Sequence, residues 1–146
     1  FAAGQFQIAG GVIASYVARW NASTGQWAAL NAGTSMSGSV SALTTLPSGD
    51  LIAAGRFASV DGIVTRRIAR WNLATAQWAP VGTGMNDAVF ALTLLPGGDL
   101  VAGGFFSSAG GVPANSIARW NPTTGEWAAL GSGILGSVQA LTALPN

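Results

Sequence analysis

Three successive stretches of about fifty residues are copies of one another, each divides into four short apolar segments, and no window carries a helical period. Together these observations predict an all-β fold, a β-propeller of three four-stranded blades. The period can be read directly. Phe1 to Trp20 aligns without gaps on Ile52 to Trp71 and again on Val101 to Trp120, at offsets of 51 and then 49 residues. Each of these stretches closes on Ala-Arg-Trp-Asn, and a second tryptophan follows seven positions on, giving the pairs Trp20 and Trp27, Trp71 and Trp78, Trp120 and Trp127. The copies meet again at Val40, Val89 and Val138. The two extra residues of the first copy fall between Trp27 and Val40, where a loop is expected. One propeller segment therefore fills the chain, with repeats at approximately 1–48, 49–97 and 98–146.

Each copy offers four strands, A to D, rich in β-branched, aromatic and small apolar residues and separated by Gly, Pro, Asn and Asp. A is expected from about Ala88 to Leu95, B from Asp99 to Phe105, C from Ile117 to Trp120 and D from Trp127 to Leu130. Pro-Ser-Gly-Asp and Pro-Gly-Gly-Asp suit a tight A to B turn, and Asn-Pro-Thr-Thr-Gly-Glu suits a C to D hairpin. Ten or more uninterrupted residues of helical period occur nowhere, so the abundant alanine does not signal helix. One such small sheet cannot bury both faces alone and must stack on neighbours.

The strands are permuted across the termini: B-C-D, then A-B-C-D twice, then a lone A at Val138 to Leu144. Closed propellers have roughly four to eight blades. Two expectations follow: a homo-oligomer in which two chains exchange strand A and complete a ring, or a longer chain whose further blades complete it.

Charged residues make up 8% of the chain, where a soluble domain carries about 25%, so the polar surface must come from Ser, Thr, Asn, Gln and the backbone. The net charge of +1 leaves no electrostatic footprint for nucleic acid. Gly, Ser and Asp interrupt every apolar run, so no membrane insertion is expected. No signal peptide is visible in this numbering.

Absence of Cys and His excludes a thiol nucleophile, a Ser-His-Asp triad and the commonest metal ligands within this chain. The acids Asp50, Asp61, Asp87, Asp99 and Glu126 fall in no spacing that pairs two carboxylates on one strand face. Gly131-Ser132-Gly133-Ile134-Leu135-Gly136 matches the dinucleotide-loop pattern, but strand A follows it instead of the helix that would receive a pyrophosphate. No catalytic residue, cofactor or metal is therefore expected, and the chain reads as a non-enzyme.

Residues repeated in all three copies serve the blade. The six tryptophans read as inter-blade packing. Arg19, Arg70 and Arg119 read as structural cations bonding loop carbonyls or stacking on a ring, and Asp50 and Asp99 as turn residues accepting backbone amides. The sequon Asn21-Ala22-Ser23 lies in a repeated turn and reads as chance.

Val101-Ala102-Gly103-Gly104, with Trp120 and Trp127 beyond, resembles the kelch repeat, from which Ala3-Gly4 and Ala54-Gly55 depart. Ala109-Gly110-Gly111-Val112 through Asn121 is similar to a propeller-type repeat of large bacterial surface and secreted proteins. The resemblance implies a bacterial protein at the cell surface or outside the cell. Kelch-like blades serve as protein-binding platforms, lectins and oxidase scaffolds; the copper-oxidase chemistry would need His and Cys ligands that this chain lacks.

Binding candidates are the residues that break the repeat. Arg56 stands where the other copies have Gln5 and Phe105; Phe90 replaces Ser41 and Gln139; Arg67 replaces Tyr16 and Ser116; Arg66 completes the chain's one basic pair. The function expected is a binding or structural module that recognises a protein or glycan through loops on one face. The alternatives are a lectin with pockets repeated between blades and a fragment of a larger propeller enzyme. Circular dichroism should show nearly pure β structure, with helix below about a fifth.

Overall fold

The computed structural model describes residues 1–30 and 35–144, so the loop expected between Trp27 and Val40 falls in part outside the described residues. The first copy holds β1 (Ala2–Ala3), β2 (Ile8–Ala9), β3 (Val12–Ile13), β4 (Val17–Asn21) and β5 (Gln26–Ala29). The second holds β6 (Val40–Thr45), β7 (Leu51–Gly55), β8 (Ser59–Val60), β9 (Ile63–Val64), β10 (Ile68–Asn72) and β11 (Gln77–Pro80). The third holds β12 (Val89–Leu94), β13 (Leu100–Gly104), β14 (Ser108–Ala109), β15 (Val112–Pro113), β16 (Ile117–Asn121) and β17 (Glu126–Ala129). No helix occurs among the described residues.

Two sheets have four antiparallel strands, ordered β6-β7-β10-β11 and β12-β13-β16-β17, and the first has three, β1-β4-β5. These are the expected A-B-C-D meanders, the first without its A. Strand A of each blade begins opposite the end of strand B, with Val40 across from Gly55 and Val89 across from Gly104. The D–A and B–C connections consequently share one face of the molecule, and the A–B and C–D turns share the other. Inner strands β6 and β12 of adjacent blades lie against each other, as around a propeller axis.

Sequence reading missed three further hairpins in the B–C connections, β2-β3, β8-β9 and β14-β15. Their signal is the pair Gly10-Gly11, Asp61-Gly62 and Gly110-Gly111. Both central residues hold positive φ, 50° and 79° at Asp61 and Gly62, as a two-residue type I′ turn requires. A bulge in strand A was also unforeseen: the register shifts between Val40 and Ala42 and between Val89 and Ala91, leaving Ser41 and Phe90 unpaired. It explains the repeat's glycine. A Cβ at Gly55 or Gly104 would collide with the Ser39 or Ala88 carbonyl of the bulged strand. At Gly103 a Cβ would meet chiefly the Val138 and Leu141 side chains, so its counterpart Ala54 is tolerated. Of the Gly103-Gly104 pair, only the second glycine answers to the backbone.

The core consists of the spaces between blades. Strand β7 is buried along its whole length, its side chains alternating between two clusters: Leu51 and Ala53 face the first blade with Val17, Trp71 and Trp78, while Ile52 and Ala54 face the third with Leu100, Trp120 and Trp127. A strand covered on both sides must be apolar at every position, which is why Leu51 to Gly55 shows no alternation.

Two expectations need correction. First, the six tryptophans are not equivalent: Trp71, Trp78, Trp120 and Trp127 are buried, but Trp20 is 47% exposed and Trp27 half-buried. Among the described residues no sheet lies against their face. Second, Val138 to Leu144 is not a strand. It lies beside β13 only through the Val138 amide donating to the Gly104 carbonyl at 2.9 Å and through apolar contact with Gly103. No strand B among the described residues runs beside it to complete a ladder. Trp71→Ala is expected to cost about 3–5 kcal/mol as a buried truncation and Arg66→Ala less than about 1 kcal/mol. Chemical denaturation checks this, equal midpoints being the contrary result.

Candidate functional site

On the A–B and C–D face the second and third blades each carry an ion pair between strand C and the A–B turn. Asp50, in the A–B turn, accepts hydrogen bonds from Arg70 Nε (2.8 Å) and Nη2, from the Leu73 amide (2.9 Å) and from the Ser48 hydroxyl (3.1 Å). Asp99 repeats the pair with Arg119 at 3.3 Å. Arg70 and Arg119 thus bond carboxylates, where loop carbonyls or rings were expected, because strand C brings each beside its own blade's A–B turn. Burial raises the Asp50 pKa, but the Leu73 amide, Arg70 and Ser48 together outweigh it and leave the carboxyl below its ordinary value.

The C–D turns repeat a second device. Asn21, Asn72 and Asn121 each accept two backbone amides through Oδ1, at 2.8 to 3.3 Å. The Asn21 carboxamide is part of this turn, which accounts for the sequon.

On the opposite face the D–A loops stitch neighbouring blades. The Met85 amide donates to the Arg66 carbonyl of the preceding blade (2.9 Å), while the Asn86 carboxamide bonds the Ser107 and Ser108 amides and the Ser107 hydroxyl of its own blade at 2.9–3.0 Å. Ser37 serves the same purpose toward Ala58 and Ser59.

Three of the five repeat-breaking candidates meet here. A cleft of about 370 Å³ near the inner strands is lined by Arg56, Asp87, Phe90, Phe105, Ser137 and Gln139 with Ala88. The bulge at Phe90 leaves that side chain out of the ladder, and the Arg56 guanidinium lies 5.5 Å from the centre of its ring. Phe105 is 58% exposed.

Arg66 and Arg67 stand elsewhere. Arg66 borders a separate depression with Val64, Thr65, Pro80, Gly82 and Thr83. Arg67 is engaged internally, its Nη1 donating to the Arg56 carbonyl at 2.7 Å; it steadies the segment that carries Arg56. Sequence reading missed Asp87, although comparing copies would have found it, since Gly38 and Gly136 hold the matched positions. A second opening, of about 350 Å³ beside Phe105, Ile134 and Leu135, has a different character. In the preceding repeat the matched loop is covered, Met85 being buried and bridged to Ala109 of β14.

Among the described residues no three His, Cys, Asp or Glu stand together in a group that could hold a metal. No helix is long and apolar enough to cross a membrane. The stacked meanders define a β-propeller protein. Residues 1–96 match the Rax2 C-terminal beta propeller domain, and residues 96–125 match a second beta-propeller family, a domain of unknown function designated DUF5122. The chain therefore belongs to the Rax2 C-terminal beta propeller domain family. No curated protein matches it.

The Asp50 pair supplies a pH test. A carboxyl with a depressed folded pKa stabilises fully above its unfolded value of about 4 and loses that contribution as pH falls through the lower folded value. Asp50→Asn is expected to cost about 1–3 kcal/mol at pH 7, the range for hydrogen bonds to a charged group, with the difference from the parent shrinking below about pH 4. Thermal melts across that range measure it; a constant difference contradicts the assignment.

Proposed function

We propose that this chain is a non-enzymatic binding or structural module that presents its D–A and B–C loops to a protein or glycan partner, with the kelch-like order of its glycine and tryptophans as the scaffold. One observation carries the reading. Four of the side chains that depart from the repeat, Arg56, Asp87, Phe90 and Phe105, gather in one cleft on that face, whereas the opposite face repeats one structural plan through Asp50–Arg70 and Asp99–Arg119. A scaffold whose two faces differ in this way keeps one for folding and frees the other for recognition. A lectin with pockets repeated between blades finds less support, since four of the repeated tryptophans are buried. The reading as a fragment of a larger enzyme draws on no cluster of acids among the described residues.

We also propose that another blade, from a second copy or from a longer chain, covers the face of the first sheet. Arg19 has no carboxylate partner among the described residues, unlike Arg70 and Arg119, and Trp20 stands half in solvent. Display outside a bacterial cell fits the sparsely charged surface. Two measurements test these readings. Screened against arrayed proteins and glycans, any ligand should lose at least about tenfold in affinity on Arg56→Ala with Phe105→Ala and be indifferent to Thr123→Ala in the C–D turn; the reverse pattern overturns the face assignment. Light scattering of the purified chain should give more than a monomer's mass or an aggregating species. A stable, soluble monomer contradicts the covered face.

A further inference from the structure

The cleft lined by Arg56, Asp87, Phe90, Phe105, Ser137 and Gln139 has a chemistry that narrows its ligand. We infer that it is a single saccharide site, taking one neutral pyranose ring whose apolar face stacks on Phe105 and whose hydroxyls bridge Arg56 and Asp87. The inference rests on the recognition face argued above and adds the class of ligand.

Charge comes first. The ion pairs among the described residues are Asp50–Arg70 and Asp99–Arg119, so Arg56 and Asp87 share a cavity without bonding each other. Arg56 spends its guanidinium on the Phe90 face, a contact that leaves the N–H donors at its edge uncommitted. Asp87 accepts the Ala88 amide at 2.7 Å through one carboxylate oxygen, and the other is open. The cleft therefore offers a donor-only cation and an acceptor-only anion with no net charge. With opposite charges side by side, the cleft has no net attraction for either a polyanion or a polycation. A pair of neighbouring hydroxyls suits both, since each hydroxyl donates and accepts.

The remaining lining agrees. Gln139 and Ser137, joined by a 3.0 Å hydrogen bond from Gln139 Nε2 to Ser137 Oγ, offer further donors and acceptors. Phe105, the one strongly exposed ring of the group, gives a flat apolar surface beside them. The cleft's volume of about 370 Å³ lies within the usual range for small-ligand sites, about 300–1,000 Å³. Among the described residues the site occurs once. At the junction of the first and second blades the positions matching Arg56, Asp87 and Phe90 hold Gln5, Gly38 and Ser41, which supply neither the ring nor the charge pair. It thus differs from pockets repeated around the ring.

Nuclear magnetic resonance titration of the whole chain with methyl β-glucoside, methyl β-galactoside and methyl α-mannoside tests the inference, with glucuronate as the charged comparison. At least one neutral glycoside should shift the Arg56 Nε–H, the Gln139 carboxamide and the Asp87 amide with a millimolar Kd, leaving the Thr123 amide unmoved. Phe105→Ala and Asp87→Asn should each weaken that binding at least about tenfold. Both side chains are exposed, so unchanged melting midpoints are expected and separate lost binding from lost folding. Absence of shifts in the cleft, binding by glucuronate alone, or binding that survives both substitutions overturns the saccharide site. Should the glycosides fail while a protein ligand still depends on Arg56 and Phe105, the recognition face stands and only the ligand class falls.

Discussion

Everything in this molecule depends on stacking apolar sheets whose two faces both need cover. A four-stranded blade of about fifty residues has no interior of its own; its interior is the gap it shares with the next blade. Strand β7, with every side chain buried and successive residues entering opposite clusters, is the clearest expression of that constraint. The tryptophan pairs close the outer part of each gap. Trp71 and Trp78 face each other across strands C and D with ring centres 5.3 Å apart, and Trp127 reaches into the neighbouring blade to donate its indole N–H to the Val81 carbonyl at 3.0 Å. Burying a large aromatic contributes up to about 3 kcal/mol, so repeated gaps rather than any single core carry the stability.

Such a design divides labour between the two faces. The A–B and C–D turns are held by charge: a carboxylate that collects an arginine, a backbone amide and a hydroxyl can dispense with a long loop. The D–A connections do something different, since the loop that carries Met85 and Asn86 bonds both the blade before it and the blade it enters. Loops pinned at both ends can carry varied side chains without loss of register. The departures from the repeat are found here, and the strand A bulge gives Phe90 an orientation that an ideal ladder would deny it.

Much of this was legible in the residues. Period, strand boundaries and the paired tryptophans follow from alternating apolar segments and turn chemistry, which are local properties of the chain. The hairpins β2-β3, β8-β9 and β14-β15 were legible too, in Gly-Gly and Asp-Gly, but strands of two residues lie below the length at which apolar alternation registers. Asp87 was open to the same comparison of copies that singled out Arg56 and Phe90.

By itself the sequence determined the repeat, the class of fold and the list of residues that break the pattern, because each depends on near neighbours and on comparing the chain with itself. Only the tertiary structure decided which of those residues meet. Arg56 and Phe90 come from different blades, and their contact depends on how one sheet sits on the next; Arg66 and Arg67, in the same blade as Arg56, are turned by left-handed backbone at φ of 48° and 76° into separate tasks. Tertiary structure likewise separated Trp20 and Trp27 from the four buried tryptophans, since burial belongs to the space between blades and not to the residue.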